Sequence, residues 1–273
     1  MNYSQYYRTK SKLILCYQRA LSLVNKNRFL TTIKMSFDKE WNPINLIDQN
    51  NKDTKFSLLI LNQPILTEKE RMLAIWKRAS LRITADGGTD RWLQFLRSCC
   101  PDKELVPDIV TGDLDSITPE ALAHCSAKGS LILKKPDQDN TDFTKGLIET
   151  SKWQEVNKVE LDGVIALVET AGRLDQILAN LNTLYLAQSI LTCPVYQLAS
   201  DSLTWLLNPG THKINVPASL AKGYCGLVPL GAPNKDGMKF GDLISTNNLF
   251  DNPEGGIVTV TTDTPLIWTM GLY

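Results

Sequence analysis

The chain has 273 residues, with 29 Lys and Arg against 29 Asp and Glu, a formal net charge of zero, 43% hydrophobic and 21% charged residues. That composition suits a globular protein with a sizeable core and excludes a disordered chain, a collagen-like chain and a disulfide-dense mini-protein. No run approaches the roughly 20 apolar residues of a membrane-spanning helix, and zero net charge argues against a dedicated nucleic-acid binder.

The neutral total conceals two unequal parts. Residues 1–34 carry Arg8, Lys10, Lys12, Arg19, Lys26, Arg28 and Lys34 and no acid, which leaves 22 basic against 29 acidic residues in the remainder. A basic, hydroxyl-bearing leader without acids is similar in composition to a mitochondrial presequence. The alternative is an untargeted tail, or an extension ahead of a start at Met35. It is preferred, with a cytoplasmic location, because such compositions arise often by chance. The six cysteines form no CxxC pair, and with His124 and His212 as the two histidines, zinc-site spacing is absent. Reduced thiols in an intracellular protein are the simplest account.

Residues 38–55 are polar and rich in Asn and Asp, and read as a linker. The apolar run 57–61 has strand length. A helical period over 71–79 places Met72, Ile75 and Trp76 on one face. Strands are expected at 81–85, 107–111, 130–134 and 164–168, and helices at 91–97, 119–128, 141–152 and 174–188. This alternation is the signature of a mostly parallel sheet covered by helices on both faces. From Cys193 onward the pattern changes to short segments rich in Val, Ile, Leu and Thr, at 195–199, 203–207, 212–216, 224–228, 242–246, 257–262 and 266–270. Punctuated by Pro and Gly, they read as an antiparallel β-sandwich. The chain divides accordingly into a leader and linker (1–54), an α/β domain (55–192) and a sandwich (193–273).

In an open parallel sheet, ligands bind beyond the carboxyl ends of the strands. Three acidic clusters fall there: Asp86 followed by Gly87 and Gly88, Asp113 with Asp115, and the run Asp137 to Asp142. Gly87 and Gly88 would let backbone approach a ligand closely, and residues two apart on extended chain, such as Asp113 and Asp115, point the same way. Ser116 is a candidate cap for the next helix. Converging carboxylates call for a cation, and Mg²⁺ suits oxygen ligands and bridges phosphates. Each cluster alone also has an ordinary reading: a turn at Asp86-Gly87-Gly88, or a helix cap at Asp139 or Thr141. Arg173 suits a phosphate, or pairs with Asp175. No Walker-type loop and no GxGxxG occurs, so a bound nucleotide would be held by carboxylates, metal and Arg or Lys.

The ordered series Leu61-Asn-Gln-Pro64, Ala85-Asp-Gly-Gly88, Gly112-Asp-Leu-Asp-Ser116, Pro136 to Lys145 and Ala171-Gly-Arg-Leu-Asp-Gln176 resembles thiamine pyrophosphokinase of the animal type. The likeness resumes at Cys225 to Pro229, Ser245-Thr246, Val258 to Val260 and Trp268 to Met270, and covers roughly residues 57–273. It implies an α/β domain followed by a thiamine-binding sandwich. It also implies transfer of pyrophosphate from ATP to the thiamine hydroxyl, giving thiamine diphosphate and AMP. The resemblance further implies a homodimer whose sites form between the α/β domain of one chain and the sandwich of the other. By the same resemblance Asp86, Asp113, Asp115 and Asp142 hold Mg²⁺, and Gln138 and Arg173 join Asp113, Asp115 and Asp142 in catalysis. Gly87, Gly88, Thr141, Lys145 and Asp175 complete the ATP site, while Gln138, Gln176, Ser245 and Asn248 face thiamine.

Three places depart from the family pattern. Glu169-Thr170 replaces a Gly-Gly, Asn247 replaces a serine near the pyrimidine site, and the span Gly231 to Lys239 lacks a run bearing a tryptophan that stacks on thiamine. Trp205 and Trp268 lie in predicted strands and read as core residues rather than substitutes. The shortened span grounds a second reading, a catalytically impaired paralogue or splice variant that binds nucleotide and regulates the dimer.

Overall fold

The computed structural model describes residues 37–48, 51–137, 139–221, 223–234, 238–242, 244–250, 252 and 254–272. The basic leader and Gln138 therefore lie outside the described residues, as does Cys16. The parallel half is built from β2 (Phe56–Ile60), β3 (Leu81–Ala85), β4 (Ile109–Gly112), β5 (Leu131–Lys134), β6 (Gly163–Leu167) and β7 (Val195–Leu198). Between them run α2 (Lys69–Arg78), α3 (Gly88–Cys99), α4 (Pro119–Ala127), α5 (Asp142–Asn157) and α6 (Leu174–Ala187).

Alternation along β2 assigns the two faces. Leu58 and Ile60 pack with Met72, Ile75 and Trp76 of α2 and Trp92 of α3. Leu59 turns the other way, towards Phe143 and Leu147 of α5 and Leu184 of α6. α4 packs on β4 through the smaller cluster of Val110, Ile117, Ala121 and Cys125, which Leu93 of α3 joins. Helices thus cover both faces, as the sequence pattern requires.

The sheet does not stop at β7. Strands β8 (Ser202–Leu207), β10 (Tyr224–Val228), β11 (Ser245–Leu249) and β13 (Leu266–Gly271) extend it to ten, in the order β11-β10-β13-β8-β7-β6-β2-β3-β4-β5. Pairing is parallel from β5 to β7 and antiparallel from β7 to β11. A second sheet, β1 (Phe37–Trp41), β9 (Gly210–Pro217) and β12 (Gly255–Thr262), supplies Trp41, Ile214, Val216 and Val260 to the cluster that holds Trp205, Trp268 and Met270. Both Trp205 and Trp268 are fully buried, with ring centroids 6.0 Å apart, which agrees with their reading as core residues.

Three expectations are corrected. The linker expected over 38–55 contains β1 and a helical turn, α1 (Ile44–Ile47), because Trp41 and Leu46 have core positions to fill. Val195–Leu198, expected to open the antiparallel part, pairs in parallel with β6. The strand expected at 242–246 lies at 245–249, where it pairs with β10 at Tyr224↔Leu249 and Leu227↔Ser245 with a register shift between.

Candidate active site

The carboxylates collect at the carboxyl ends of β3 and β4. Asp86, Asp113 and Asp142 each offer one oxygen, and these atoms lie within 4.8 Å of one another. Asp86 directly follows β3 and is buried, with a positive φ of 48°. Both its oxygens accept the Ser116 N–H, at 3.1 and 3.2 Å, and one accepts the Ile117 N–H at 3.1 Å. Asp86 therefore fixes the loop after β4 as well as facing the group. Asp90, in the first turn of α3, accepts the Thr118 N–H at 2.9 Å and its hydroxyl at 2.6 Å. Asp90 is not among the residues that the sequence singles out; an acidic residue in the first turn of a helix is the signal that could have found it.

Gly112 has a φ of +126°, a conformation that favours glycine. Leu114 follows at φ +62°, so the chain from Asp113 to Asp115 is not extended. The Asp115 N–H turns back to Asp113 Oδ1, at 3.4 Å. Asp115 stands apart from the group of three, its carboxylate accepting the Ser116 hydroxyl at 2.9 Å. The next helix is capped by Thr118, which accepts the Ala121 N–H, rather than by Ser116. The glycines after Asp86 sit against close neighbours. A Cβ at Gly88 would collide with the Ile60 carbonyl oxygen, and one at Gly87 with the Asn62 side chain.

Asp142 begins α5, and Thr141 is its N-cap, accepting the Thr144 N–H at 3.2 Å. Asp139 is not the cap; its N–H donates to Asp137. Burial pushes the Asp142 carboxyl above its usual range against the opposing pull of Lys145, with Asp113 and Asp86 adding to the rise. Lys145 is 5% exposed, and its Nζ lies 3.1 Å from Asp142 Oδ1 and 3.8 Å from Asp113 Oδ2.

The remaining candidates have other partners. Arg173 and Asp175, at the start of α6, form an exposed two-point ion pair with each other. Gln176 is exposed beside them. Glu169, in the place of a family glycine, donates its N–H to Gln63 and accepts the Ser200 hydroxyl at 3.3 Å. Ser245 and Asn248 meet on β11, where Asn248 Nδ2 donates to Ser245 Oγ at 2.8 Å. Seven strand positions separate β11 from β3, on the order of 30 Å at the usual strand spacing. One chain therefore does not bring Ser245 and Asn248 to its own carboxylates.

Comparison with known proteins identifies a family and a fold. Residues 72–194 match the family model described as thiamin pyrophosphokinase, catalytic domain. Thiamine pyrophosphokinase 3 of Oryza sativa subsp. japonica is 33% identical over 240 residues, covering 80% of this chain and 87% of that protein. Thiamine pyrophosphokinase 1 of Arabidopsis thaliana is 30% identical over 253 residues, covering 82% and 89%. The solved structure of thiamin pyrophosphokinase from Candida albicans superposes with a TM-score of 0.72 at 20% identity, covering 92% of this chain and 98% of that one, which speaks for the fold. With a fold, a carboxylate group at the strand ends and relatives that align along most of its length, the chain belongs to the thiamine pyrophosphokinase family.

Proposed function

We propose that this protein transfers the pyrophosphoryl group of ATP to the hydroxyl of thiamine, giving thiamine diphosphate and AMP. The observation that carries the reading is the convergence of Asp86, Asp113 and Asp142 at the strand ends of a chain in this family. The donor set is all carboxylate oxygen, and it fits a small hard cation such as Mg²⁺. Asp113 and Asp142 would hold the ion directly, with Asp86 beside them. A bound Mg²⁺ offsets charge on the phosphoryl oxygens.

The chain's own groups would do the rest by position. Lys145 and the amino-terminal end of α5 favour phosphate. Arg173 would exchange its exposed partner Asp175 for the nucleotide, and such exposed pairs open at little cost. Ser245 and Asn248 would face the pyrimidine ring of thiamine bound to the neighbouring chain. Their distance from the carboxylates of their own chain supports a homodimer with composite sites.

The test is direct. Purified full-length protein with ATP, thiamine and Mg²⁺ should release AMP and thiamine diphosphate in equal amounts, and neither without thiamine. Sedimentation should give twice the chain mass. Folded protein that makes no thiamine diphosphate would overturn the assignment in favour of the impaired paralogue.

A further inference from the structure

Lys145 occupies a place that ordinarily disfavours a cation. It lies in the first turn of α5, where the helix dipole opposes positive charge, and its side chain is 5% exposed. Burying an ammonium group is costly unless it is paired. The pairing is supplied by Asp142 at 3.1 Å and Asp113 at 3.8 Å. Asp86, the third carboxylate, already accepts N–H groups from Ser116 and Ile117. The repulsion between Asp113 and Asp142 is thus the part of the group that the ammonium offsets.

Three ionised carboxylates against one ammonium leave two negative charges, which one divalent cation cancels. The ammonium and that cation seek the same oxygens.

We propose that Lys145 is the internal counter-cation of the carboxylate group: without metal it holds Asp113 and Asp142 together, and it competes with the divalent ion for them. Lys145 is thereby a positioning residue that sets how tightly the site takes the ion. This rests on the reading of the carboxylates as a metal site. It adds that the site is assembled before the metal arrives, and that its affinity is held down by a residue inside it.

The experiment compares the full chain with Lys145→Met by thermal melting, in EDTA and across a titration of Mg²⁺ without nucleotide. In EDTA the variant should melt below the wild type, because the carboxylates lose their counter-charge. Mg²⁺ should then raise its melting temperature by more than that of the wild type. The half-effect concentration should fall on the order of 10-fold, since a unit charge close to the ion has gone. Adding Asp142→Asn to Lys145→Met should restore the metal-free melting temperature, since it removes one of the repelling charges. A variant that melts like the wild type in EDTA overturns the proposal. So does a loss that is equal with and without Mg²⁺ and that Asp142→Asn does not repair, which would make Lys145 a packing residue. If Lys145→Met does not fold in EDTA, Lys145→Arg decides: wild-type melting supports the charge, and failure like that of methionine overturns it. If neither Mg²⁺ nor Mn²⁺ shifts either protein, the metal reading fails and the competition with it. The EDTA comparison still decides the counter-cation role.

Discussion

The indole Nε1–H of Trp41 donates to Nδ1 of His212 at 3.0 Å, and both residues are buried. The other ring nitrogen of His212, Nε2, lies 2.6 Å from the Asn208 carbonyl oxygen. The neutral tautomer that carries its proton on Nε2 satisfies both contacts. This bond fastens β1 to β9, which pair in parallel with Lys39 opposite His212 and Trp41 opposite Ile214. The Trp41 ring also lies 5.7 Å from Trp205 and edge-on to Tyr196. A segment whose composition reads as linker is therefore part of the sandwich core.

Acid should loosen that attachment. Burial, and secondarily the Lys39 charge, hold His212 below its ordinary pKa of 6.5 against the opposing pull of the Asn208 carbonyl. A protonated ring would also point a second N–H at the indole donor. The unfolded chain binds the proton more readily, so the contribution of His212 to stability is full above about pH 6.5. It is lost as pH falls through the lower folded value. The melting temperature should fall between pH 7 and 5 more steeply in the wild type than in His212→Asn. Parallel pH profiles for the two proteins would show that His212 contributes nothing.

The parallel half was legible because its strands are short apolar runs buried on both faces, as in Phe56–Ile60 and Gly163–Leu167. β1 was not. In Phe37-Asp-Lys-Glu-Trp41 the three central residues are charged, and the strand exists because one tryptophan reaches the core. β11 was misplaced by three residues because Asn247 and Asn248 are poor strand formers, and its pairing with β10 decides the register. Among the site residues, Gly112 is of a type that favours turns. The left-handed conformation of Leu114, between Asp113 and Asp115, gave no sequence signal. Asp86 was legible as a carboxylate at a strand end but not as the acceptor that holds the Ser116 and Ile117 amides.

Asp113→Asn should stop catalysis and leave the fold in place. The side chain follows β4, faces Asp86 and Asp142, and lies 3.8 Å from Lys145 Nζ. Substitution removes one of the negative charges proposed to hold the ion. A fall in kcat on the order of 10³-fold is expected, with an unchanged far-ultraviolet spectrum and a melting temperature near the wild-type value. Wild-type turnover in this variant would remove Asp113 from the site.

Asp86→Ala should behave differently, because Asp86 has a second task. Its loss leaves the Ser116 and Ile117 amides without their acceptor, and Ile117 is buried. Leaving the buried Ile117 donor unsatisfied costs about 1–3 kcal/mol, so this variant should be measurably less stable than Asp113→Asn. Asp86→Asn keeps one acceptor oxygen and should fall between them. Amide exchange at residues 116 and 117 reads the effect directly. Wild-type protection there in Asp86→Ala would show that the loop is held by other contacts, Asp90 foremost.

Arg173→Ala separates function from stability most cleanly. The Arg173–Asp175 pair is exposed on both sides, with side-chain accessibilities of 70% and 64%, and exposed pairs add little to stability. The melting temperature should therefore not change. If Arg173 leaves Asp175 to meet the transferring phosphoryl group, kcat should fall on the order of 10²- to 10³-fold while KM for ATP moves less. A guanidinium that only binds the nucleotide would instead raise KM with kcat preserved. Arg173→Lys keeps the charge but loses the planar fork, so it should recover part of the kcat loss and not all of it. Wild-type kinetics in Arg173→Ala would leave the exposed pair with Asp175 as the whole role of this arginine.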